Sequence, residues 1–383
     1  MTLEPTIDRT AAALGGGSLR AAFDARRGHM IGLEEELMLI DPRTLDLSPC
    51  APQALRALAG DKRFKPELPA AQIENVTVPR RTVPAAAADL LDARRDLAAA
   101  LAGRTRVAAA GVHPFAAAVG ELNAGVRYAE LAEEYAVIAR RQLVFGLHVH
   151  VAVAGSDVAI RVHDALRSYL PELAALTANA PFYEGDDSGL ASVRPRIAAM
   201  LPRQGVPPAL ESWEAFERAL RWGASAGMLP DARRWWWELR LHPAFGTVEV
   251  RVADTQSRVA ETAAYAAVVH ALVTWLAERG QDGEPLAVAP TWRIVENGFI
   301  AARDGLDAHL ADLATGEREP VRERLERLFD ALAPVAARLG CGTELEHARA
   351  LAAGDGGAAR QRAAAERAGL DGLVAWLAER FLA

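Results

Sequence analysis

Cysteine is nearly absent from this sequence. Of 383 residues only Cys50 and Cys341 are cysteines, and neither stands in a C-x-x-C pair. Disulfide frameworks and zinc ribbons both require paired cysteines, so the sequence excludes a small disulfide-stabilised fold and a cysteine-ligated zinc module. The low count favours a reducing compartment, and we predict a cytoplasmic protein.

Lysine is equally scarce, because Lys62 and Lys65 are the only two in the chain. The formal net charge is −7 at pH 7, which provides no electrostatic attraction to nucleic acid or to an anionic membrane surface. No secretory leader is recognisable, and no segment approaches the ~20 uncharged apolar residues of a membrane span. We therefore predict neither a nucleic-acid partner nor a membrane partner.

The sequence also lacks a phosphate-binding loop. The pattern G-x-x-x-x-G-K-[ST] occurs nowhere in it, although this is the loop with which many nucleotide-binding proteins cradle phosphates. Any bound ATP must therefore be held by metal ions and by arginines.

What is present is enough apolar sequence, 51% of the residues, for one large core or two modest ones. The strand patterns are half polar and do not alternate strictly with the helical patterns. We therefore predict an α+β fold, in which a mainly antiparallel sheet has helices on one face and an open polar surface on the other. The predicted helices span 85–102, 158–178, 211–222 and 261–279, and the predicted strands span 31–40, 70–78, 105–112, 143–153, 235–241 and 247–253, the last two joined as a hairpin.

We predict a single catalytic domain over residues 1–383. Residues 1–28 would form an N-terminal extension. Residues 305–383 are rich in Ala, Arg, Leu and Glu, and they are predicted to form helices that pack on the same domain. The Pro- and Gly-rich breaks at 201–208 and 280–290 are interpreted as loops and not as interdomain linkers.

Four of the predicted strands carry an unusual polar face. Successive strand residues point to opposite sides, so Glu34 and Glu36 project together, about 7 Å apart. Leu33, Leu37 and Leu39 supply the apolar side. A solvated sheet face would carry Thr, Ser or Lys, whereas these faces carry metal-binding and phosphate-binding side chains. The other same-face pairs are Gln72 with Glu74, His148 with His150, and Glu249 with Arg251.

Each pattern also has an ordinary structural interpretation. Three consecutive glutamates can form a solvated acidic edge, and the two histidines can be hydrogen-bonded sheet residues. The combination is harder to explain in that way, because several strands present mutually compatible ligands. Carboxylates with a single histidine suit Mg²⁺ or Mn²⁺ better than zinc.

The segment 185–196 mixes turn-forming residues with Arg194 and Arg196. Arginine is suited to bidentate binding of phosphate or carboxylate, so these two are candidate ligands for a nucleotide. The alternative is a surface loop with ordinary arginines.

Taken in order, these segments resemble the YbdK-type carboxylate–amine ligases, the glutamate–cysteine ligase type 2 family of the glutamine-synthetase-like superfamily. The resemblance covers residues 32 to 306. The matching motifs are Gly32-Leu-Glu-Glu-Glu36 with Asp41-Pro42, Gln72-Ile-Glu74 with Thr77, Ala139-Arg-Arg-Gln-Leu-Val-Phe-Gly-Leu-His-Val-His-Val151, Ala178-Asn-Ala-Pro-Phe182, Gly246-Thr-Val-Glu-Val-Arg-Val252 with Asp254, and Glu296-Asn297.

The resemblance implies a curved, mainly antiparallel sheet of the glutamine-synthetase-like type, with helices on its convex face. It also implies ATP and Mg²⁺ as cofactors, and a reaction in which ATP activates a carboxylate, typically the γ-carboxylate of glutamate, for attack by an amine. We accordingly predict small-molecule acid and amine substrates and a homo-oligomer, a dimer. The implied metal ligands are Glu34, Glu36, Glu74, His148 and Glu249; the catalytic residues are Arg251, Arg194 and Glu249; the nucleotide-binding residues are Arg194, Arg196, Arg251, Glu296 and Asn297; and the substrate-binding residues are His150 and Gln72.

The sequence departs from the family pattern at four positions. Gly298 and Ile300 stand where the family carries arginines, and Leu190 and Val193 stand where it carries tyrosines. Because the metal-binding face is intact, ATP-dependent ligation is a safer expectation than glutamate and cysteine as the substrates. If another acid proves to be the donor, the four changes are the leading explanation. The alternatives are a metal-dependent hydrolase that uses the same Glu and His face, and a catalytically inactive nucleotide-binding paralogue.

Overall fold

A seven-stranded antiparallel sheet organises the protein, as seen in a computed structural model that describes residues 16–25, 28, 30–229 and 234–383. The spatial order is β2-β3-β1-β5-β9-β8, and β4 pairs with the last residues of β1. Two small hairpins, β6–β7 and β10–β11, lie outside this sheet. The strands are β1 (Ile31–Ile40), β2 (Phe64–Pro66), β3 (Gln72–Val76), β4 (Arg106–Ala108), β5 (Gly146–Ala152), β6 (Phe182–Tyr183), β7 (Asp186–Asp187), β8 (Leu239–His242), β9 (Thr247–Asp254), β10 (His309–Ala311) and β11 (Arg318–Pro320).

Helices form most of the rest of the described chain. The short 3₁₀ turn Arg167–Tyr169 connects α6 to α7, and a second one, Gly305–Asp307, connects α11 to β10. The last helix is kinked at Gly369, where φ is +71°. The α-helices are α1 (Gly16–Asp24), α2 (Ala51–Ala57), α3 (Val83–Leu101), α4 (Val126–Tyr135), α5 (Val137–Arg140), α6 (Ser156–Leu166), α7 (Leu170–Thr177), α8 (Arg194–Ala198), α9 (Trp213–Ser225), α10 (Val259–Gln281), α11 (Thr291–Asp304), α12 (Val321–Arg338), α13 (Gly342–Ala353) and α14 (Gly357–Arg380).

The main hydrophobic core lies on one face of the sheet. Leu33 of β1 and Leu147 of β5 point into it, and α3, α6 and α10 pack over this face. Helices α12 and α13 pack in turn against α10, and their apolar residues belong to the same cluster. The predicted α+β arrangement, an antiparallel sheet with helices on one face, is therefore confirmed.

Helix α10 lies at the centre of this core. It is long and apolar enough to cross a membrane by length and composition alone, but 89% of its most apolar window is buried inside the protein. Burial of this kind is what a core helix shows, so α10 is weak evidence for a membrane span.

One charged pair lies within the apolar layer. The side chain of Glu35 points to the core side of β1, opposite to Glu34 and Glu36, and it is completely buried. Arg94 of α3 binds both of its oxygens, with Nη2 to Oε2 at 2.6 Å, and Asn75 of β3 donates to Oε1 at 2.9 Å. Arg94 also donates to the carbonyl oxygens of Gln256, Ser257 and Phe381. This pair therefore joins the sheet to α3 and to the end of the chain.

The opposite face of the sheet is only partly open. Met38 and Ile40 share the parity of Glu34 and Glu36, and they are covered by Leu373 and Leu377 of α14. The polar face thus ends where α14 begins to cover it. The polar face is therefore less open than predicted, because α14 of the C-terminal tail covers one end of it.

Several predicted elements have different ends in the structure. The predicted helix 158–178 is divided by the 3₁₀ turn before α7, where Pro171 lies at the helix start. The predicted strands 143–153 and 235–241 begin only at Gly146 and Leu239. The tail after residue 305 contains the hairpin β10–β11 besides its predicted helices. Most of the predicted N-terminal extension, residues 1–15, 26–27, lies outside the described residues, and the single-domain organisation stays a prediction.

His113 provides a pH-dependent element of stability. Its ring is buried, with Nε2 2.9 Å from the Leu45 carbonyl oxygen, and Nδ1 accepts hydrogen bonds from the backbone N–H groups of Phe115 and Ala116. Burial lowers the pKa of His113 to about 4, so the neutral ring is the folded form at neutral pH.

We expect His113 to make folding less favourable as the pH falls from about 6.5 to about 4, because the unfolded chain takes up a proton there and the native state does not. The contribution lost over this range is about 3 kcal/mol. Urea unfolding of the parent and of His113→Gln at pH 7, 6 and 5 measures it. The destabilisation caused by the substitution should shrink as the pH falls, and a constant difference would contradict the assignment.

Candidate active site

The pairing of the strands brings the polar side chains together. Residues directly opposite each other in an antiparallel pair point to the same face. Glu34 lies opposite His148, His150 lies opposite Glu249, and Glu36 lies opposite Glu74. The four same-face pairs predicted from the sequence therefore form one continuous polar surface across β3, β1, β5 and β9.

A β-bulge in β9 changes the alternation within this surface. Leu147 pairs with Ala253 but Val149 pairs with Val250, so two residues, Arg251 and Val252, lie opposite the single residue between them. Such a bulge reverses the side-chain parity beyond it. Asp254 consequently shares the polar face, where it accepts hydrogen bonds from Arg194 Nε at 2.7 Å and Ser192 Oγ at 3.0 Å.

Glu34, His148 and Glu249 form the tightest cluster of potential metal ligands in the described part of the chain. One ligand atom from each lies within 4.8 Å of the others. His148 Nδ1 is 3.3 Å from Glu34 Oε2, and His150 Nε2 is 3.3 Å from Glu34 Oε1. Burial alone would raise the pKa of Glu34, but the two neighbouring histidines hold it well below its usual range. Burial, reinforced by the Arg251 charge, lowers the pKa of His148 to about 4, so this ring is a neutral potential ligand at neutral pH.

Glu249 is the completely buried member of this cluster. Arg240 of β8 donates hydrogen bonds to both of its oxygens, and Arg251 of β9 donates one to Oε1. Burial opposes the charged form of Glu249, but these two arginines and His150 hold its pKa well below its usual range. A cation that binds to Glu249 must therefore compete with two guanidinium groups for its oxygens.

A second acidic cluster lies beside the first. Glu36, Glu67 and Glu74 line one cavity, and burial together with the neighbouring carboxylates raises the pKa of Glu74 well above its usual range. Burial and Glu67 raise the pKa of Glu36 to about 7, although the N–H of Gly146 donates to Glu36 Oε2 at 2.5 Å. Carboxylates that repel one another in this way are stabilised by a bound cation.

Gly146 is required at this point for steric reasons. A Cβ built on it would lie 3.2 Å from His148 Nε2 and 3.4 Å from both Glu36 Oε2 and Arg194 Nη1. The missing side chain therefore lets three functional groups of the site approach the backbone of β5.

Two cavities open onto the polar surface. The first has a volume of 320 Å³, and charged side chains such as Glu36, Glu74 and Arg251 are part of its lining. The second has a volume of 530 Å³, lies at the start of β1, and is lined mainly by apolar groups such as Met30, Ile31 and Val76. We call them the polar cavity and the apolar cavity. Glu34, Lys65 and Phe245 line both of them.

The structure brings most of the predicted site residues together. Glu34, Glu36, Glu74, Gln72, His148 and Arg251 line the polar cavity, and His150 lines the apolar one. Glu249 lies buried below them. Arg194 lies behind Gly146, and its guanidinium is bound to Asp254 and to the Val252 carbonyl oxygen at 2.5 Å. Its charge is thus largely compensated, although it still favours the charged form of Glu36.

Three predicted nucleotide-binding residues lie elsewhere. Asn297 is buried in α11, and its amide exchanges two hydrogen bonds with the backbone of Ala311, at 2.7 and 2.9 Å. Glu296 is exposed on the same helix. Arg196 is exposed, and its guanidinium stacks 5.7 Å from the ring of Phe299. None of the three lines the polar or the apolar cavity, so Asn297 in particular has a structural role in tying β10 to α11.

Sequence reasoning missed several residues of the site. Arg240 and His242 had a usable signal, because they alternate with buried leucines in β8 as Glu249 and Arg251 do with valines in β9. Glu67 and Phe245 lie in connecting segments outside any strand, so no periodicity marked them. Only the fold brings these two to the polar surface.

The four departures from the family pattern do not line either cavity. Val193 is buried in a small apolar cluster that Leu190 also contacts. Ile300 packs against the main core, and a Cβ added to Gly298 would meet no atom within 4 Å. An altered donor therefore cannot be attributed to direct contacts of these four residues within the cavities.

Comparison with known proteins shows clear sequence similarity. The model of glutamate-cysteine ligase family 2 matches residues 30–373. A relative from Rubrobacter xylanophilus, named "Putative glutamate--cysteine ligase 2-3", is 39% identical over 368 residues, which are 94% of this chain and 99% of the relative. A relative from Frankia casuarinae, named "Putative glutamate--cysteine ligase 2-1", is 36% identical over 363 residues, covering 92% and 94% of the two chains.

Solved structures share the fold at low sequence identity. The glutamate–cysteine ligase of Francisella tularensis, crystallised in complex with AMP, superposes with a TM-score of 0.69 and 13% identity, covering 94% of this chain and 89% of that one. A bifunctional glutathione synthetase from Pasteurella multocida superposes with a TM-score of 0.67 and 15% identity, covering 97% of this chain and 54% of that one.

Proposed function

The chain belongs to glutamate–cysteine ligase family 2 and is an ATP-dependent carboxylate–amine ligase, and we propose that it forms its amide through an acyl phosphate with the γ-carboxylate of glutamate as the donor. One observation carries this proposal. Glu34, His148 and Glu249 converge to within 4.8 Å on the floor between two cavities, with Arg251 beside them. Such a floor can hold the phosphates of ATP next to an acid without a phosphate-binding loop.

The donor groups of the site fit Mg²⁺ as a cofactor. Hard divalent cations prefer oxygen ligands, and the polar surface supplies two groups of them. Mg²⁺ held there would supply positive charge against the phosphate oxygens of ATP. The residues that would hold it are Glu34, His148 and Glu249 in one group and Glu36, Glu67 and Glu74 in the other.

The two cavities suit different substrates. The apolar cavity can accept the flat, weakly polar adenine ring, and it ends at Glu34. The polar cavity can accept an amino acid, because its lining offers both carboxylates and the guanidinium of Arg251. We therefore place the nucleotide in the apolar cavity and the donor acid in the polar cavity. The phosphoryl group would then be transferred from ATP to the acid near Glu34.

Arg251 acts on charge that develops during the transfer. Glu249 binds one side of its guanidinium, and His148 Nδ1 lies 3.2 Å from Nη1. The side chain is therefore held in place before substrates bind. A fixed cation that faces developing negative charge lowers the barrier without reorganisation during the reaction.

The decisive experiment traps the activated acid with hydroxylamine. Enzyme, MgATP and hydroxylamine are incubated with single carboxylic acids, glutamate first, and both hydroxamate and ADP are measured. We expect equal amounts of the two for the true donor, and neither when EDTA removes the divalent cation, because the phosphates are held through the carboxylate face.

Other outcomes identify the alternatives. Metal-dependent cleavage of a substrate by water, without any need for ATP, would indicate a hydrolase. Binding of ATP without hydroxamate from any acid of a broad panel would indicate an inactive nucleotide-binding paralogue. A hydroxamate from an acid other than glutamate would retain the reaction and replace the donor.

The remaining expectations concern the substrates, the oligomeric state and the cellular location. Small-molecule acid and amine partners follow from the family chemistry. A homodimer and a cytoplasmic location stay predictions from the sequence.

A further inference from the structure

Three side chains separate the polar cavity from the apolar cavity. Lys65 lies on β2 at one edge of the sheet, Glu34 lies on the central strand β1, and Phe245 lies in the turn between β8 and β9 at the other edge. A line across the sheet through these residues therefore divides the polar surface. Lys65 and Glu34 are charged, so Phe245 is the only apolar side chain of the three.

Phe245 is held firmly although it is exposed. Its ring stacks on His242 with the centroids 4.0 Å apart and the planes 9° apart, and it meets His150 edge-on at 5.8 Å. The turn is closed by hydrogen bonds from the N–H groups of Phe245 and Gly246 to the carbonyl oxygen of His242, and Gly246 has the positive φ of +67° that this turn requires. The ring nevertheless remains 48% exposed, above a polar surface.

A ligand that covers the exposed part of this ring would gain free energy by removing apolar surface from water. The ring borders both cavities at the level of Glu34, the point where the proposed function places the phosphoryl transfer. We infer that Phe245 is a positioning residue that covers the activated carboxylate and keeps water away from it. This inference rests on the proposed function.

The competing reaction defines what Phe245 prevents. In the productive step the amine nitrogen bonds to the acyl carbon, the bond from that carbon to the phosphate oxygen breaks, phosphate leaves and the amine loses a proton. When water attacks instead, its oxygen bonds to the same carbon, and the acid and phosphate are released. ATP is then consumed without any amide.

The ratio of ADP released to hydroxamate formed measures this competition. We expect a ratio near one for the parent enzyme. Truncation in Phe245→Ala admits water and should raise the ratio by roughly threefold or more. Phe245→Leu keeps an apolar side chain at the position, and its ratio should stay close to that of the parent. ADP counts every acyl phosphate that forms, whereas hydroxamate counts only those that the amine captures. A simple loss of activity or of folded protein lowers both amounts together and does not change their ratio.

Phe299→Ala is the matched control. Phe299 is also a partly exposed phenylalanine, at 38%, but it lies on α11 and lines neither cavity. Its removal should leave the ratio unchanged. An unchanged ratio in Phe245→Ala, or an equal rise in Phe299→Ala, would overturn the inference. Failure of the proposed function is recognised separately, because the parent enzyme would then form no hydroxamate.

Discussion

Glu249→Gln is expected to reduce hydroxamate formation by about a hundredfold to a thousandfold, because the amide removes the charge from the potential ligand at the centre of the site. The substitution is nearly isosteric, but the carboxylate lies completely buried between Arg240 and Arg251. Its loss removes the negative charge that these two half-buried guanidinium groups share, which should lower the free energy of unfolding by about 3 kcal/mol. Activity per folded molecule and urea unfolding measure the two effects.

Glu172→Gln is the matched control for this prediction. Glu172 is another buried carboxylate, paired with Arg324, and it lines neither cavity of the site. Its replacement should lower stability without a comparable loss of activity per folded molecule. If Glu249→Gln kept activity within about tenfold of the parent, an electrostatic role at the transferring group would be excluded.

Substitution of two neighbouring glutamates of β1 should have opposite effects, one mainly on stability and the other mainly on activity. Glu35→Gln is expected to lower the free energy of unfolding by about 3 to 5 kcal/mol, because Arg94 is left buried without its counter-charge. Glu36→Gln should cost little stability, since burial already raises the pKa of Glu36 to about 7 and disfavours its charged form. It should instead abolish most hydroxamate formation, because Glu36 belongs to the second acidic cluster.

A double substitution completes this comparison. Glu35→Gln combined with Arg94→Met removes both charges of the buried pair, and it should recover much of the lost stability. The measurements are denaturant unfolding and activity per folded molecule for each variant. Equal effects of Glu35→Gln and Glu36→Gln on stability would contradict the side-chain directions in β1.

The predicted elements differ from the structure mainly at their ends. The helices 85–102 and 261–279 and the strand 31–40 correspond closely to α3, α10 and β1, because long periodic segments carry strong local signals. The strand predicted at 105–112 ends at Ala108, since only that part pairs with β1. Strand length depends on the partner strand, which the local sequence does not contain.

Glu35 is a second case in which the local sequence does not contain the partner. Alternation already placed it on the apolar side of β1, where an unpaired charge is not tolerated. Its partner Arg94 lies 59 residues away in α3, and no local pattern connects the two. The fold therefore supplied this partner.

The sequence by itself determined which side chains share a strand face and, by family resemblance, the class of reaction. These properties follow from local geometry, since the two-residue period of a strand holds wherever the strand lies. Tertiary structure alone decided the rest. It set the strand order and the bulge at Arg251, enclosed Glu249 between two arginines, brought Glu67 and Phe245 to the cavities, and placed Arg196, Glu296 and Asn297 outside them. The physical reason is that strand pairing and loop placement depend on contacts between residues far apart in the chain, whose energies no single segment contains.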